Sequence, residues 1–220
     1  MNTKELEQKK IKKSVNLPKT SFPMKANLSQ NETLSLKRWK KRDLYAHIQD
    51  HTKHNPPFIF HDGPPYANGN IHLGHLLNKV LKDMVVRSQL MMGKRCEFTP
   101  GWDCHGLPIE HKVMTALAES GKLQTIAQLP PDSQKMAIRN ECAAYAKKYI
   151  KLQSNQLQSL LTLANYNQPY LTMQKGFEKS VLDVFAGLVK EGLVYRKLKP
   201  VHWSIANQTA LAEAELEYED

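Results

Sequence analysis

His72 and His75, with Gly74 between them, are the residues of this chain best suited to chemistry on an anion. A three-residue spacing puts both imidazoles on one face of a helix. Their N–H groups can donate to phosphate oxygens. Gly74 leaves a flat opening in which a ring can lie against the backbone. Further along, Asp103 sits in the loop PGWDCHGLP. An aspartate there caps a turn, or holds a cation such as an ammonium group. A metal reading draws on His72, His75, Cys104 and His105, since imidazole and thiolate bind zinc. Against it, the chain has no Cys-x-x-Cys pair, and the histidines lack the i, i+4 spacing and the glutamate of the zinc-protease helix. The plain alternative is a strand–turn–helix whose histidines are structural.

The elements that must position these groups are legible around them. Phe58, Ile59 and Phe60 suit a strand buried on both faces. Gly63, Pro64 and Pro65 stop it, since proline cannot donate to a ladder. Asn68, Gly69 and Asn70 form a turn, with Asn70 the predicted N-cap. From Ile71 the apolar residues Leu73, Leu76, Leu77, Val80, Leu81, Met84 and Val85 recur at helical spacing to about Met92, and Gly93 suits the position after the helix. Cys96 to Thr99 then reads as a second strand, parallel to the first. A helix N-terminus beside the end of a buried strand is a ready anion site. In a parallel sheet, ligands bind beyond the carboxyl ends of the strands. The loops 63–75 and 100–108 both lie at such ends and are expected to face one crevice.

The totals narrow the class. In 220 residues, 41% are apolar and 24% charged, as in a globular protein that buries a sizeable core. No apolar run is long enough to span a membrane, and the Lys-rich start has no apolar stretch behind it, so neither a membrane partner nor a secretory signal is expected. Cys96, Cys104 and Cys142 form no disulfide framework, which fits a reducing, cytoplasmic compartment. The net charge of +10 suggests a polyanionic partner. Much of it lies in Lys4–Lys13 and Lys37–Arg42, where a solvated face is the plainer reading.

Elsewhere, residues 1–13 read as a charged tail, helical and frayed or disordered. Residues 16–27 are expected to run extended. Asn31 caps a helix to Thr52 whose apolar stripe includes Leu36, Trp39, Leu44 and Ile48. Pro108 opens a helix to about Glu119. Asp132 caps a long one to about Leu163, with Lys147, Lys148 and Lys151 on a solvated face. Residues 165–172 read as a loop and 177–191 as a helix closed by Gly192. Residues 199–204 and 210–218 are expected as closing or edge strands.

The HLGH string resembles the HIGH motif of class I aminoacyl-tRNA synthetases. HDGPPYANGNIHLGH followed by GWDCHGLPIEHK is similar to the isoleucyl branch of that family, and the resemblance runs from about Asn16 to Asp220. It implies an α/β fold: the first half of a Rossmann-like catalytic domain over residues 58–220, preceded by an extended segment and helix over 16–57 and a tail over 1–15. It implies ATP-dependent activation of L-isoleucine and transfer to tRNA(Ile), with Mg2+ accompanying ATP. His72, Leu73, Gly74 and His75 would bind ATP, the two histidines acting on the phosphates and Gly74 lying against adenine. Gly63 and Pro64 would line the amino-acid pocket and Asp103 would hold the ammonium group. Trp102 would wall that pocket or pack in the core.

Members of that family are several times longer. Their editing domain, KMSKS loop, anticodon-binding domain and C-terminal zinc site have no counterpart in these residues, so the chain reads as an N-terminal piece, and a separate chain could carry the rest. The stretch LLTLANY has Thr162 or Ala164 and Tyr166 where a Gly and a Trp are usual, and Arg196–Lys197 replaces a common Lys-Gly. Little or no aminoacylation is expected of the chain alone. The other readings are a free-standing nucleotidyltransferase and a non-catalytic module binding tRNA or nucleotide.

Overall fold

The computed structural model describes residues 3–15, 20–21, 25–213 and 216–218. Its helices are α1 (Thr3–Ser14), α2 (Leu28–Arg42), α3 (Leu44–His51), α4 (Leu73–Met91), α5 (Leu107–Glu119), α6 (Lys122–Ala127), α7 (Pro131–Ser159) and α8 (Lys175–Lys190). Its strands are short: β1 (Gly101–Trp102), β2 (Tyr170–Leu171), β3 (Trp203–Ser204) and β4 (Thr209–Ala210). The chain divides into two compact units, one of residues 1–61, 70–99 and 151–167, the other of residues 62–69, 100–150 and 168–220. The charged tail is helical as α1; of the 16–27 stretch, residues 16–19 and 22–24 lie outside the described residues.

In the first unit Val86 of α4, Cys96, Phe98, Leu163 and Ala164 form a buried cluster, with Leu44, Ile48, Phe58, Phe60, Leu90 and Tyr166 packed against it. Phe60 meets Phe98 edge-on at 5.6 Å. The strand expected at 58–60 is reduced to one parallel pairing, Pro57 with Arg95. Phe58 N–H donates to the Arg95 carbonyl and Arg95 N–H to that of Pro56. Extended backbone alternates its side chains, and only one face of this segment is covered. Ile59, on the other, is 81% exposed, which corrects the expectation of burial on both sides.

Cys96 to Thr99 is likewise extended without a ladder, because side chains take its backbone groups. Gln49 Nε2 donates to the Cys96 carbonyl at 2.9 Å, and Phe98 N–H donates to the Tyr45 hydroxyl at 3.2 Å. The Phe98 carbonyl accepts from Asn165 N–H. The helix expected over 31–52 is two helices. Asp43, with φ 43° and ψ 60°, is left-handed, closes α2 and opens α3. Aspartate tolerates that conformation, and Lys40, Lys41 and Arg42 just before it favour a helix end through the dipole. Gly93, at φ 76°, ends α4 as expected: its N–H bonds to the Leu90 carbonyl and that of Lys94 to Gln89.

In the second unit β1 is central to a small parallel arrangement. Gly101 pairs with Tyr170 and Trp102 with Leu171, while Asp103 pairs with Tyr66 on the other side. The segment 165–172, read from sequence as a loop, thus contributes a strand. Two residues are too short to display an alternating pattern. Trp102, Ile109, Val113 and Leu117 are buried here. Pro131 opens α7, since its missing N–H costs nothing in the first turn. β3 and β4 pair antiparallel, a hairpin shorter than the segments expected at 199–204 and 210–218, of which 214 and 215 lie outside the described residues.

Candidate functional site

In the first unit the start of α4 is built by its own histidines. His72 is the N-cap, with extended φ −122° and ψ 176°, so the helix begins two residues later than predicted and Asn70 is not its cap. His72 Nδ1 accepts from Gly74 N–H at 3.1 Å, and His75 Nδ1 accepts from His72 N–H at 3.4 Å. The two rings stack with centroids 4.0 Å apart. Two donors that every helix start leaves unpaired are thereby taken up. Because both Nδ1 atoms accept, each neutral ring carries its proton on Nε2. Those Nε2–H groups are the donors left for a ligand. Burial first, then neighbouring His72 and Lys79, pushes the His75 pKa below the usual histidine value. A Cβ at position 74 would lie 2.9 Å from His72 Cε1, so glycine here keeps the His72 ring in its capping position.

Asn70, displaced as the cap, has another role. Gln156 of α7 accepts from Ile71 N–H through Oε1 at 3.1 Å and donates through Nε2 to Asn70 Oδ1 at 2.9 Å. One side chain thus fixes the two residues that lead into His72.

In the second unit Asp103 follows β1. Its N–H donates to the Pro65 carbonyl, and its carbonyl accepts from Ala67 N–H, each at 2.8 Å. The loop carrying Gly63 and Pro64 is therefore tied directly to the segment carrying Asp103. The half-buried carboxylate accepts long contacts from Thr172 Oγ1 at 3.4 Å and His105 N–H at 3.5 Å. Thr172 Oγ1 also accepts from Cys104 N–H at 2.9 Å. Contacts of that length engage the carboxylate weakly and leave it suited to a charged donor. Gly63 is exposed, and a Cβ on it would meet nothing within 4 Å, so the surrounding protein imposes no need for glycine there. The turn at Asn68 is held from α7 by Tyr145, whose hydroxyl donates to Asn68 Oδ1 at 2.7 Å. Burial, then the hydrogen bond and charge of Tyr149, push the Tyr145 pKa up to about 12. Trp102 is 1% exposed and belongs to the core.

The residues predicted from sequence thus fall into two sets, each assembled within its unit: His72, Leu73, Gly74 and His75 in one, Gly63, Pro64 and Asp103 in the other. Gln156, Tyr145 and Thr172 position them and were not recognised as such in the sequence. Tyr145 is one aromatic residue in the spacing of a long helix, and Gln156 and Thr172 have no motif around them. The zinc reading loses its thiolate. The buried Cys104 thiol donates to the Trp102 carbonyl, and burial raises its pKa. Among the described residues no three His, Cys, Asp or Glu side chains gather to hold a metal ion.

Comparison with known proteins adds the following. The family model for tRNA synthetases class I (I, L, M and V) matches residues 34–220. The chain is 48% identical over 209 residues to the isoleucine–tRNA ligase of Kosmotoga olearia, and 46% identical over 209 residues to that of Thermotoga neapolitana. Each match takes in 95% of this chain and 22% of the relative. The isoleucine–tRNA ligase of Methylacidiphilum infernorum is 48% identical over 206 residues. The chain thus spans about a fifth of the length of these curated relatives. In fold it is similar to the LeuRS chain in the ternary LeuRS–tRNA–LeuAMS complex of Agrobacterium radiobacter K84, with a TM-score of 0.63 and 20% identity over 86% of this chain and 21% of that one.

Proposed function

Because this chain belongs to the class I tRNA synthetase family (I, L, M and V) and has its Rossmann-like α/β fold, we propose that it is the N-terminal part of an isoleucine–tRNA ligase. Residues 58–220 are then the first half of the catalytic domain. The observation that carries the reading is the 48% identity to a ligase of that name across 95% of the chain, a span that takes in both motif loops.

The reaction has two steps. A carboxylate oxygen of L-isoleucine attacks the α-phosphorus of ATP, the bond to pyrophosphate breaks, and isoleucyl-adenylate forms. A ribose hydroxyl at the tRNA(Ile) 3′ end then attacks the acyl carbon and AMP leaves. Positioning and charge stabilisation account for most of the first step. In this reading the Nε2–H groups of His72 and His75 donate to phosphate oxygens, and Leu73 and Gly74 meet the nucleotide. The His cap supports this role, since it locks both rings with Nε2–H outward. Asp103 holds the substrate ammonium group, while Gly63 and Pro64 line its side. Mg2+ would accompany the ATP phosphates, whose oxygens suit a hard cation. The setting is cytoplasmic translation.

The test is amino-acid-dependent ATP–pyrophosphate exchange, run on the purified chain alone and with the remaining portion of a relative co-expressed. The expected result is isoleucine-dependent exchange only in the second case, with valine as a weaker substrate. Exchange driven by leucine or methionine would overturn the isoleucine assignment. ATP turnover on a small acceptor by the chain alone would replace a synthetase part with a free-standing nucleotidyltransferase.

A further inference from the structure

By residue type Asn70 is the better helix cap, yet α4 begins at His72. Asparagine heads the order of N-cap preference with aspartate and serine, and histidine is not among the preferred caps. A cap works through its side-chain oxygen, which accepts from an N–H two or three residues further on. At Asn70 that atom, Oδ1, already accepts from Gln156 Nε2 at 2.9 Å. The same Gln156 amide takes the Ile71 N–H through Oε1 at 3.1 Å, from 85 residues along the chain. Gln156 thus holds Asn70 by the atom a cap uses, and Ile71 by the N–H beside it. All these residues belong to the first unit.

Two helix starts compete at this turn. In the observed one His72 is extended, at φ −122° and ψ 176°. Its Nδ1 accepts from Gly74 N–H, and its own N–H goes to His75 Nδ1. In the other start Asn70 is the cap, and Ile71 and His72 turn helical, with φ near about −63°. The His72 N–H then turns into the helix, and both Nδ1 atoms lose the donors that fix their rings. We infer that Gln156 is a positioning residue for the phosphate-facing turn. By occupying Asn70 Oδ1 and the Ile71 N–H, it keeps the helix start at His72 and so keeps both Nε2–H groups outward. The consequence for nucleotide binding rests on the synthetase reading above. The choice of helix start does not, and it is read without any ligand.

The 220-residue chain is compared with Gln156→Ala, Asn70→Ala and the double variant. Alanine is the best helix former, so α7 keeps its helix at 156, and circular dichroism checks that each variant folds. The three-bond coupling between the amide and α protons of His72 reports its φ. It is expected to be large in the native chain and in Asn70→Ala, and small in Gln156→Ala. It should be large again in the double variant, which has no asparagine to take the cap. Should Gln156→Ala fail to fold, Gln156→Glu decides. Its carboxylate accepts from Ile71 N–H but cannot donate to Asn70 Oδ1, so the small coupling is again expected. MgATP is then titrated into each protein, with the His72 and His75 imidazole shifts as the signal. Gln156→Ala is expected to weaken binding about tenfold, the usual worth of a lost hydrogen bond to a charged group. The double variant should recover most of it. A large His72 coupling in folded Gln156→Ala overturns the inference. So does a small one that persists in the double variant, since Gln156 then only braces the loop. Unchanged MgATP affinity in a variant with the small coupling overturns the positioning role. If MgATP moves neither imidazole of the native chain while the couplings follow the expected order, the helix start is set as inferred and the phosphate reading falls instead.

Discussion

Gly101 and Tyr170 are register partners in the parallel pairing of β1 with β2, and the Tyr170 ring fills the space a side chain at 101 would need. A Cβ built on Gly101 would overlap Tyr170 Cζ and Cε1. The same ring donates its hydroxyl to the Asp62 carbonyl at 3.2 Å and stacks on Phe177. It therefore joins the loop before Gly63, the segment leading to Asp103, and the start of α8. Gly101→Ala is expected to destabilise the chain by about 1–3 kcal/mol, the usual cost of overpacking. Thermal unfolding measures it. Adding Tyr170→Ala should recover part of the loss, because the two positions are coupled. Equal stability of G101A and the native chain would mean the ring does not sit there in solution.

Asp83 ties α4 to the turn after α7. Its Oδ1 accepts from Leu163 N–H at 2.7 Å, its Oδ2 pairs with Arg87 Nε at 2.5 Å, and Arg87 in turn donates to the Leu161 carbonyl. Leu161 is left-handed, at φ 63°, a conformation that a branched side chain adopts only when its surroundings impose it. Thr162 and Tyr166 in this turn hydrogen-bond each other at 2.6 Å. Asp83→Ala leaves a largely covered N–H without an acceptor and should cost about 1–3 kcal/mol. Asp83→Asn keeps an acceptor oxygen and should cost less. Urea midpoints of the two variants give the comparison, and equal values would mean that the Leu163 bond contributes nothing.

These two cases show where a sequence can be read and where it cannot. The start of α4 was legible because Gly, Pro and Asn punctuate the chain before a long helical apolar stripe. Gly93 was legible because a left-handed backbone after a helix favours glycine, and its φ is positive. The choice of His72 over Asn70 as the cap was not legible. Both side chains can accept from a backbone N–H, and Gln156, far along the chain, decides between them by binding Asn70. The break at Asp43 was hidden inside an apolar stripe that continues across it. The strand expected at Cys96 to Thr99 does not form a ladder because its backbone groups are satisfied by Tyr45, Gln49 and Asn165, partners that no local pattern announces.

The three cysteines should separate by reactivity. Cys96 and Cys104 are buried, whereas Cys142 is intermediate in exposure. Burial raises the pKa of all three thiols, with Glu110 and Glu141 adding to the effect at Cys142. Since the thiolate is the nucleophile, none should react quickly at pH 7. Alkylation followed by mass spectrometry should find Cys142 modified first, with a rate that climbs steeply toward pH 9. Cys96 and Cys104 should be labelled only on unfolding. Early labelling of Cys104 would show that the β1 loop opens in the native state.

The histidine cap makes the start of α4 sensitive to pH. Protonation places a hydrogen on Nδ1, the atom that accepts in both His72 and His75, so the charged rings cannot serve as caps. For His75 the folded pKa lies below the unfolded value of about 6.5, through burial, His72 and Lys79. Between those two values the unfolded chain binds more protons, so stability rises with pH across that window. The contribution is complete above the unfolded value and is lost as pH falls through the folded one. Nitrogen-15 spectra of the imidazoles should show both neutral rings protonated at Nε2, with the His75 midpoint below 6.5. Gly74→Ala should change stability by no more than about 1 kcal/mol, since a better helix former offsets a weakened cap. It should nonetheless remove the His72 tautomer signature, because its new Cβ would sit 2.9 Å from Cε1 and the exposed ring can swing away. A His72 ring protonated at Nδ1 in the native chain would mean that the cap is absent, and with it the outward Nε2–H that we propose donates to phosphate.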